Sequence, residues 1–263
     1  DGHAQFFRAY HAIRAPMSSP VTGEPTHMTF SFMGMLLKLL RDYRPDYLAV
    51  VIDVAGDRET FRSALYPEYK ANRDAPPDDF HPQVERCLKL LEQFSIPVYG
   101  MTGVEADDVI GAIVERLREE RPELTIEIVS RDKDLTQLLR DGVTMLDPMK
   151  DEHVTPATIF KTEGVTPSQV IDMLALMGDT SDNIPGVPGI GPKTAAKLIM
   201  EYGSIEGLLE HLGEIKGKRR ENIETAKDAL DLSRQLVTLR TDLDVDFDLA
   251  AAKWEAERVD VPM

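Results

Sequence analysis

Through the first 150 residues, apolar positions alternate between helical spacing and short unbroken runs. Phe30, Met33, Leu36, Leu37 and Leu40 recur every three to four residues over 26–43, and Pro45 lies just beyond as a stop. Residues 47–52 are instead an apolar, β-branched run ending at Asp53, which reads as a buried strand. The alternation continues with a helix over 81–94 (Val84, Cys87, Leu88 and Leu91 on one face), a strand at 96–99 and a helix over 105–118. A strand at 124–129, a helix over 133–139 and a strand at 143–146 follow. This order predicts an α/β fold with a mostly parallel central sheet flanked by helices.

Beyond residue 147 the strand signals fade. Residues 155–162 and 167–177 read as helices with Pro in the first turn, and further helices follow near 193–201, 205–212 and 218–239. The expected division is therefore an α/β part over 1–183 and a helical part over 184–263. Residues 58–79 fit neither pattern. Rich in Arg, Tyr and Pro, they read as a functional insertion over the sheet edge or as a solvated loop. Asp1-Gly-His3 is a sequence that more often follows a strand than opens a chain, so a strand is expected ahead of it.

With 42% apolar residues in 263, the chain can bury a sizeable core. The apolar stretch at 30–40 is broken by Lys38 and is too short to span a bilayer, so no membrane partner is expected. The one cysteine, Cys87, excludes an internal disulfide framework and fits a reducing cytoplasm. A net charge of −16 opposes non-specific binding to a polyanion. The charge is unevenly shared, however: residues 184–240 carry +1, leaving −17 for the rest.

The acids give that imbalance a chemical reading. Asp1, Asp53, the Glu105/Asp107/Asp108 group, Asp132 with Asp134, and Asp179 with Asp182 all fall at strand ends, at helix starts or in a loop before a helix. In an open α/β sheet the carboxyl ends of the strands form the ligand crevice. Singly, each group has an ordinary explanation as a helix cap or a turn residue. Together, nine carboxylates in one cleft would need cations to stay ionised, and Mg²⁺ or Mn²⁺ suits oxygen donors. His3, His11, His27, His81, His153 and His211 are scattered and show no zinc spacing. Two divalent ions about 4 Å apart can activate water against a phosphodiester.

Gly186-Val-Pro-Gly189-Ile-Gly191 followed by Pro192-Lys193-Thr194 resembles a P-loop at first sight, but Pro192 intervenes before the lysine and no strand leads in. No nucleotide cofactor is expected. A helix-hairpin-helix fits better: Gly189, Gly191, Lys193, Thr194 and Lys197 would face a duplex phosphate backbone without reading bases. A glycine turn between two packed helices is the plainer alternative.

Several motifs then agree in order. They are Asp1-Gly-His with Arg8-Ala-Tyr10, Val51-Ile-Asp53, Phe61-Arg62, Tyr66-Pro-Glu-Tyr69-Lys70-Ala-Asn-Arg73, Gly103-Val-Glu105-Ala-Asp107-Asp108, Ser130-Arg-Asp132-Lys-Asp134 and Gly178-Asp-Thr-Ser-Asp182 through Gly191. With these the chain resembles the 5′-to-3′ exonuclease and flap endonuclease family, above all its bacterial form fused to a DNA polymerase. The resemblance implies a PIN-like nuclease core over 1–183 with a helical arch at 58–79, and a helix-hairpin-helix region over 184–263 that can hold K⁺. It implies a metal set of Asp1, Asp53, Glu105, Asp107, Asp108, Asp132, Asp134, Asp179 and Asp182 for two or more Mg²⁺ or Mn²⁺ ions. Catalysis would rest on Lys70 and Arg73 at the scissile phosphate, with Asp53 and Asp132. Arg8 and Arg62 would contact phosphates, and Tyr69 would stack on a nucleotide. Arg131 departs from the family pattern. The implied partner is DNA with 5′ ends or flaps, cut by a cytoplasmic monomer acting with or fused to a polymerase. A metal-dependent ribonuclease of related fold and a non-catalytic DNA-binding module are the rival readings.

Overall fold

The two residues of strand β1, Val50–Val51, face opposite sides, and each side is a separate core. Val50 packs with Phe6, Phe32, Leu36 and Phe80, whereas Val51 packs with Val109, Ile113, Ile128 and Leu135. The computed structural model describes residues 1–15, 17–54 and 59–256, so Arg58 at the start of the expected insertion and residues 257–263 at the end of the helical part lie outside the described residues. The first core joins helices α1 (Gly2–Ala12), α2 (His27–Tyr43) and α4 (Phe80–Gln93). The second is built around α5 (Ala106–Glu120) and extends into the C-terminal helices.

Parallel pairing holds, but the strands form two small sheets. β1 pairs with β2 (Val98–Tyr99), and β3 (Ile126–Val129) pairs with β4 (Val143–Asp147). An antiparallel strand, β5 (Glu152–Val154), adds to β4. Between the sheets lies an open cleft of about 950 Å³, walled by β1 and β3, with Phe32 and Leu36 of α2 and Ile110 and Ile113 of α5 among its lining residues.

The expected insertion contains one short helix, α3 (Phe61–Leu65), followed by consecutive turns leading to α4. The helical part runs through α6 (Pro156–Glu163), α7 (Val170–Met177), α8 (Pro192–Tyr202), α9 (Ile205–Glu210) and α10 (Lys218–Val237). α6 shows how these helices are delimited. Thr155 caps it through its side chain, Pro156 occupies the first turn, and Gly164 at φ 80° ends it. Among the described residues, no helix is long and apolar enough to cross a membrane.

One close approach positions the site. A Cβ on Gly2 would lie 2.7 Å from Ile52 Cγ2 and 2.8 Å from Val50 Cγ1, so only glycine lets the start of α1 press against β1. That contact carries Asp1 to the carboxyl end of the parallel strands.

Candidate functional site

At that edge, four elements are tied together through acidic side chains. Asp1 caps α1, its Oδ1 accepting from Ala4 N at 3.1 Å, while its Oδ2 accepts from the Ser130 hydroxyl at 2.7 Å, just past β3. Asp53, just past β1, accepts from the backbone of Ala106 at 2.7 Å and so fixes the start of α5. Its own N–H donates to His3 Nδ1 on α1 at 3.1 Å. Ser130 also accepts from Asp132 N at 3.1 Å, and Asp132 accepts from Asp134 N at 2.9 Å.

The electrostatics are those of crowded anions. Burial, then the charges of Asp132 and Asp134, hold the Asp107 carboxyl well above its usual range. Burial, then Asp132, pushes Asp134 up to about 7, and the charges of Asp182 and Asp179 reach it as well. Asp134 Oδ1 is buried with no hydrogen-bond partner. An all-oxygen donor set with an orphaned buried oxygen fits a hard divalent cation. Among the described residues no three acids, histidines or cysteines converge to enclose one ion.

Basic groups take up several of those acids instead. Lys70 Nζ lies 2.6 Å from Glu105 Oε1, and the Tyr69 hydroxyl donates to Glu105 Oε2 at 3.0 Å. Arg73 Nη2 lies 2.6 Å from Asp182 Oδ1, and Lys133 Nζ lies 2.5 Å from Asp179 Oδ2. Lysine attraction and the Ser181 hydrogen bonds outweigh burial and hold Asp179 below its usual range. Lys70 adopts φ 54°, a left-handed conformation that costs on the order of 1 kcal/mol, and Lys70 N donates to Asp182 O at 2.9 Å.

Four expectations need correction. Asp108 does not face the other acids. It is fully buried and accepts from Arg62 at 2.6 and 2.7 Å and from Arg240 N at 2.9 Å. Arg62, 2% exposed, is correspondingly closed to a phosphate. Tyr69 is 3% exposed, which leaves no ring face for a nucleotide. Thr194 N donates within its own helix start, to Gly191 O at 3.0 Å. Arg8 pairs with buried Asp147 at 2.7 Å, and the unexpected Arg131 turns outward to the same carboxylate at 3.3 Å. Lys133 and Ser130 also belong to the site, and the alternation Asp132-Lys133-Asp134, which puts a cation between two acids, is the sequence signal for the lysine. Phe7, two turns along α1 from Asp1, is 40% exposed and stacks on Phe80 at 4.4 Å.

The hairpin joins α7 to α8. Asp179 and Ile184 exchange backbone hydrogen bonds of 3.0 and 2.7 Å, closing the loop that carries Asp182. Gly189, at φ 79°, and Gly191 are exposed at its tip, and Lys193 and Lys197 are exposed one turn apart on α8. Asn222 of α10 donates to Pro188 O at 2.7 Å, bracing the tip.

Residues 1–165 match the family description "5′-3′ exonuclease, N-terminal resolvase-like domain", and residues 165–260 match "5′-3′ exonuclease, C-terminal SAM fold". A DNA polymerase I of Rhizobium leguminosarum is 43% identical over 98% of this chain, which spans 26% of that relative. A 5′-3′ exonuclease of Aquifex aeolicus is 37% identical over 94% of this chain and 82% of its own length. Among solved structures, a 5′-exonuclease of phage T5 with bound zinc superposes with a TM-score of 0.75 at 25% identity, covering 92% of this chain and 88% of its own. A phage T5 flap endonuclease in a pseudo-enzyme-product complex with DNA and metal ions superposes at 0.73, also at 25% identity and with the same coverage. The chain thus spans about a quarter of the DNA polymerase I relative and most of the shorter exonuclease, and it belongs to the 5′-3′ exonuclease family.

Proposed function

We propose that the chain hydrolyses DNA phosphodiesters at 5′ ends and flaps with two or more Mg²⁺ or Mn²⁺ ions. The observation that carries this reading is the group Asp107, Asp132 and Asp134, whose crowded like charges and one orphaned buried oxygen call for a divalent cation beside basic side chains. Asp1, Asp53, Asp179 and Asp182 would complete the donor set, with Glu105 at its margin. When bound, ions held by these acids would supply water activation and charge neutralisation at the leaving oxygen. Lys70 and Arg73 orient the scissile phosphate and stabilise its developing charge. Phe7, exposed where Tyr69 is not, supplies the stacking face for a base.

Residues 1–183 are the blade, with 58–79 as its arch. Residues 184–263 are the grip, in which Gly189, Gly191, Lys193 and Lys197 hold duplex phosphate and the hairpin would hold K⁺. Arg8 and Arg131 add positive charge along the strand edge. The setting is a cytoplasmic monomer working with, or joined to, a DNA polymerase, in keeping with the polymerase I relatives.

Cleavage of a 5′-flapped DNA duplex in Mg²⁺, abolished by EDTA, is the expected result. Binding without metal-dependent cutting would leave a non-catalytic DNA-binding module. Preference for an RNA flap would favour the ribonuclease.

A further inference from the structure

Arg62 lies in the middle of the molecule, on the short helix α3, with all five of its N–H groups matched. Nε donates to Leu236 O at 2.7 Å. Nη1 donates to Glu105 Oε2 at 3.1 Å and Asp108 Oδ2 at 2.6 Å. Nη2 donates to Asp108 Oδ1 at 2.7 Å and Thr238 O at 3.1 Å. The planar fork of an arginine is used to its full donor count, which leaves nothing to offer a phosphate. Asp108, locked by this fork, accepts from Glu105 N at 3.1 Å through the oxygen that faces Nη1. One ion pair therefore orients both the backbone and the carboxylate of Glu105.

The other end of the arrangement reaches the hairpin. Leu236 and Thr238 lie at the C-terminal end of α10, whose Ser233 hydroxyl donates to Pro185 O at 2.6 Å and whose Asn222 braces Pro188. A 20-residue helix thus links the hairpin to Arg62, and Arg62 links the helix to Glu105.

We propose that Arg62 is a positioning residue that sets the Glu105 carboxylate at the metal centre, ties it to α10 and never touches DNA. The proposal rests on the metal-centre reading above. Removing the guanidinium charge outright would leave Asp108 buried and unpaired, so a charge-retaining variant is paired with a neutral one. The test compares Arg62→Lys and Arg62→Gln with the wild-type chain, each first checked for native near-ultraviolet circular dichroism. Mn²⁺ affinity is read by electron paramagnetic resonance, and flap-duplex affinity is read in EDTA across a salt series.

Mn²⁺ binding is expected to weaken about 10- to 100-fold in the variants, as for lost partners behind a metal ligand, with Arg62→Lys the milder. Flap-duplex affinity should stay within about twofold with an unchanged salt slope, because no phosphate contact is lost. Unchanged Mn²⁺ affinity overturns the proposal, and so does a salt slope reduced by about 0.9, the mark of a lost phosphate contact. Unfolding of both variants assigns Arg62 to the fold alone and overturns it too. A wild-type chain that binds no Mn²⁺ instead refutes the metal-centre reading and takes this proposal with it.

Discussion

Asp134 has one carboxylate oxygen buried and unbonded, and its carboxyl is pushed up from 3.8 to about 7 by burial and then by Asp132. A carboxyl whose folded value lies above its unfolded one stabilises the fold in its protonated form. That contribution is full below about pH 4 and is lost as pH rises through about 7. In EDTA, the melting temperature of Asp134→Asn relative to wild type should therefore climb across this window, since the amide has no proton to lose. A gap that stays constant with pH would take Asp134 out of the crowded group. Asp107 titrates with its neighbours, so the transition belongs to the group and is broader than a single-site curve. The position of Asp134 after an apolar strand was readable from the sequence. Which of Asp107 and Asp108 faces the crevice was not, because adjacent helical residues point about 100° apart and only packing decides between them. Arg62 misleads for a related reason: its ion-pair partner Asp108 lies 46 positions away, so in isolation it looks like a surface arginine in a polar stretch.

At the scale of elements, the hairpin depends on one backbone-to-backbone contact. A Cβ on Gly186 would fall 2.5 Å from both Gly178 N and Met177 O, and rigid backbone cannot yield to it. Gly186→Ala should cost roughly 3 kcal/mol of stability in urea unfolding. Gly191→Ala, at an extended position with open space around it, should stay within about 0.5 kcal/mol. Equal losses would mean that the turn does not depend on that contact. The helices were legible because their caps and apolar stripes are local signals; the 26–43 stretch appears as α2 with Thr26 just ahead of it. Where partners lie outside the segment, legibility fails. The expected helix at 133–139 is a 3-10 turn over Asp134–Leu138, in which the Thr136 hydroxyl and the Gln137 amide bond nearby carbonyls and compete with the helical ladder. β5, polar and only three residues long, becomes a strand because β4 offers it an edge.

For the molecule as a whole, the proposed function raises the question of how a chain of net charge −16 would hold a polyanion. Part of the answer lies in where the acids sit. Those gathered at the strand edge would be neutralised by divalent ions and basic side chains sharing their site, so on the proposed function the bare sum would overstate what DNA meets. The remainder is geometry, since residues 184–240 carry +1 and present Lys193 and Lys197 on one exposed turn beside the hairpin tip. If that turn is the grip, each lysine that meets a phosphate releases counterions. The double variant Lys193→Ala/Lys197→Ala should then flatten the log–log dependence of DNA affinity on salt by about 0.9 per lysine. The loss should be uniform across DNA sequences, because backbone contacts carry no base information. Single-turnover cutting of saturating flap substrate should barely change, since neither lysine is among the acids and bases at the strand edge. An unchanged salt slope would move the grip off the hairpin. A drop in saturated cutting would mean that the hairpin also aligns the scissile phosphate, through the connection of α10 to Glu105.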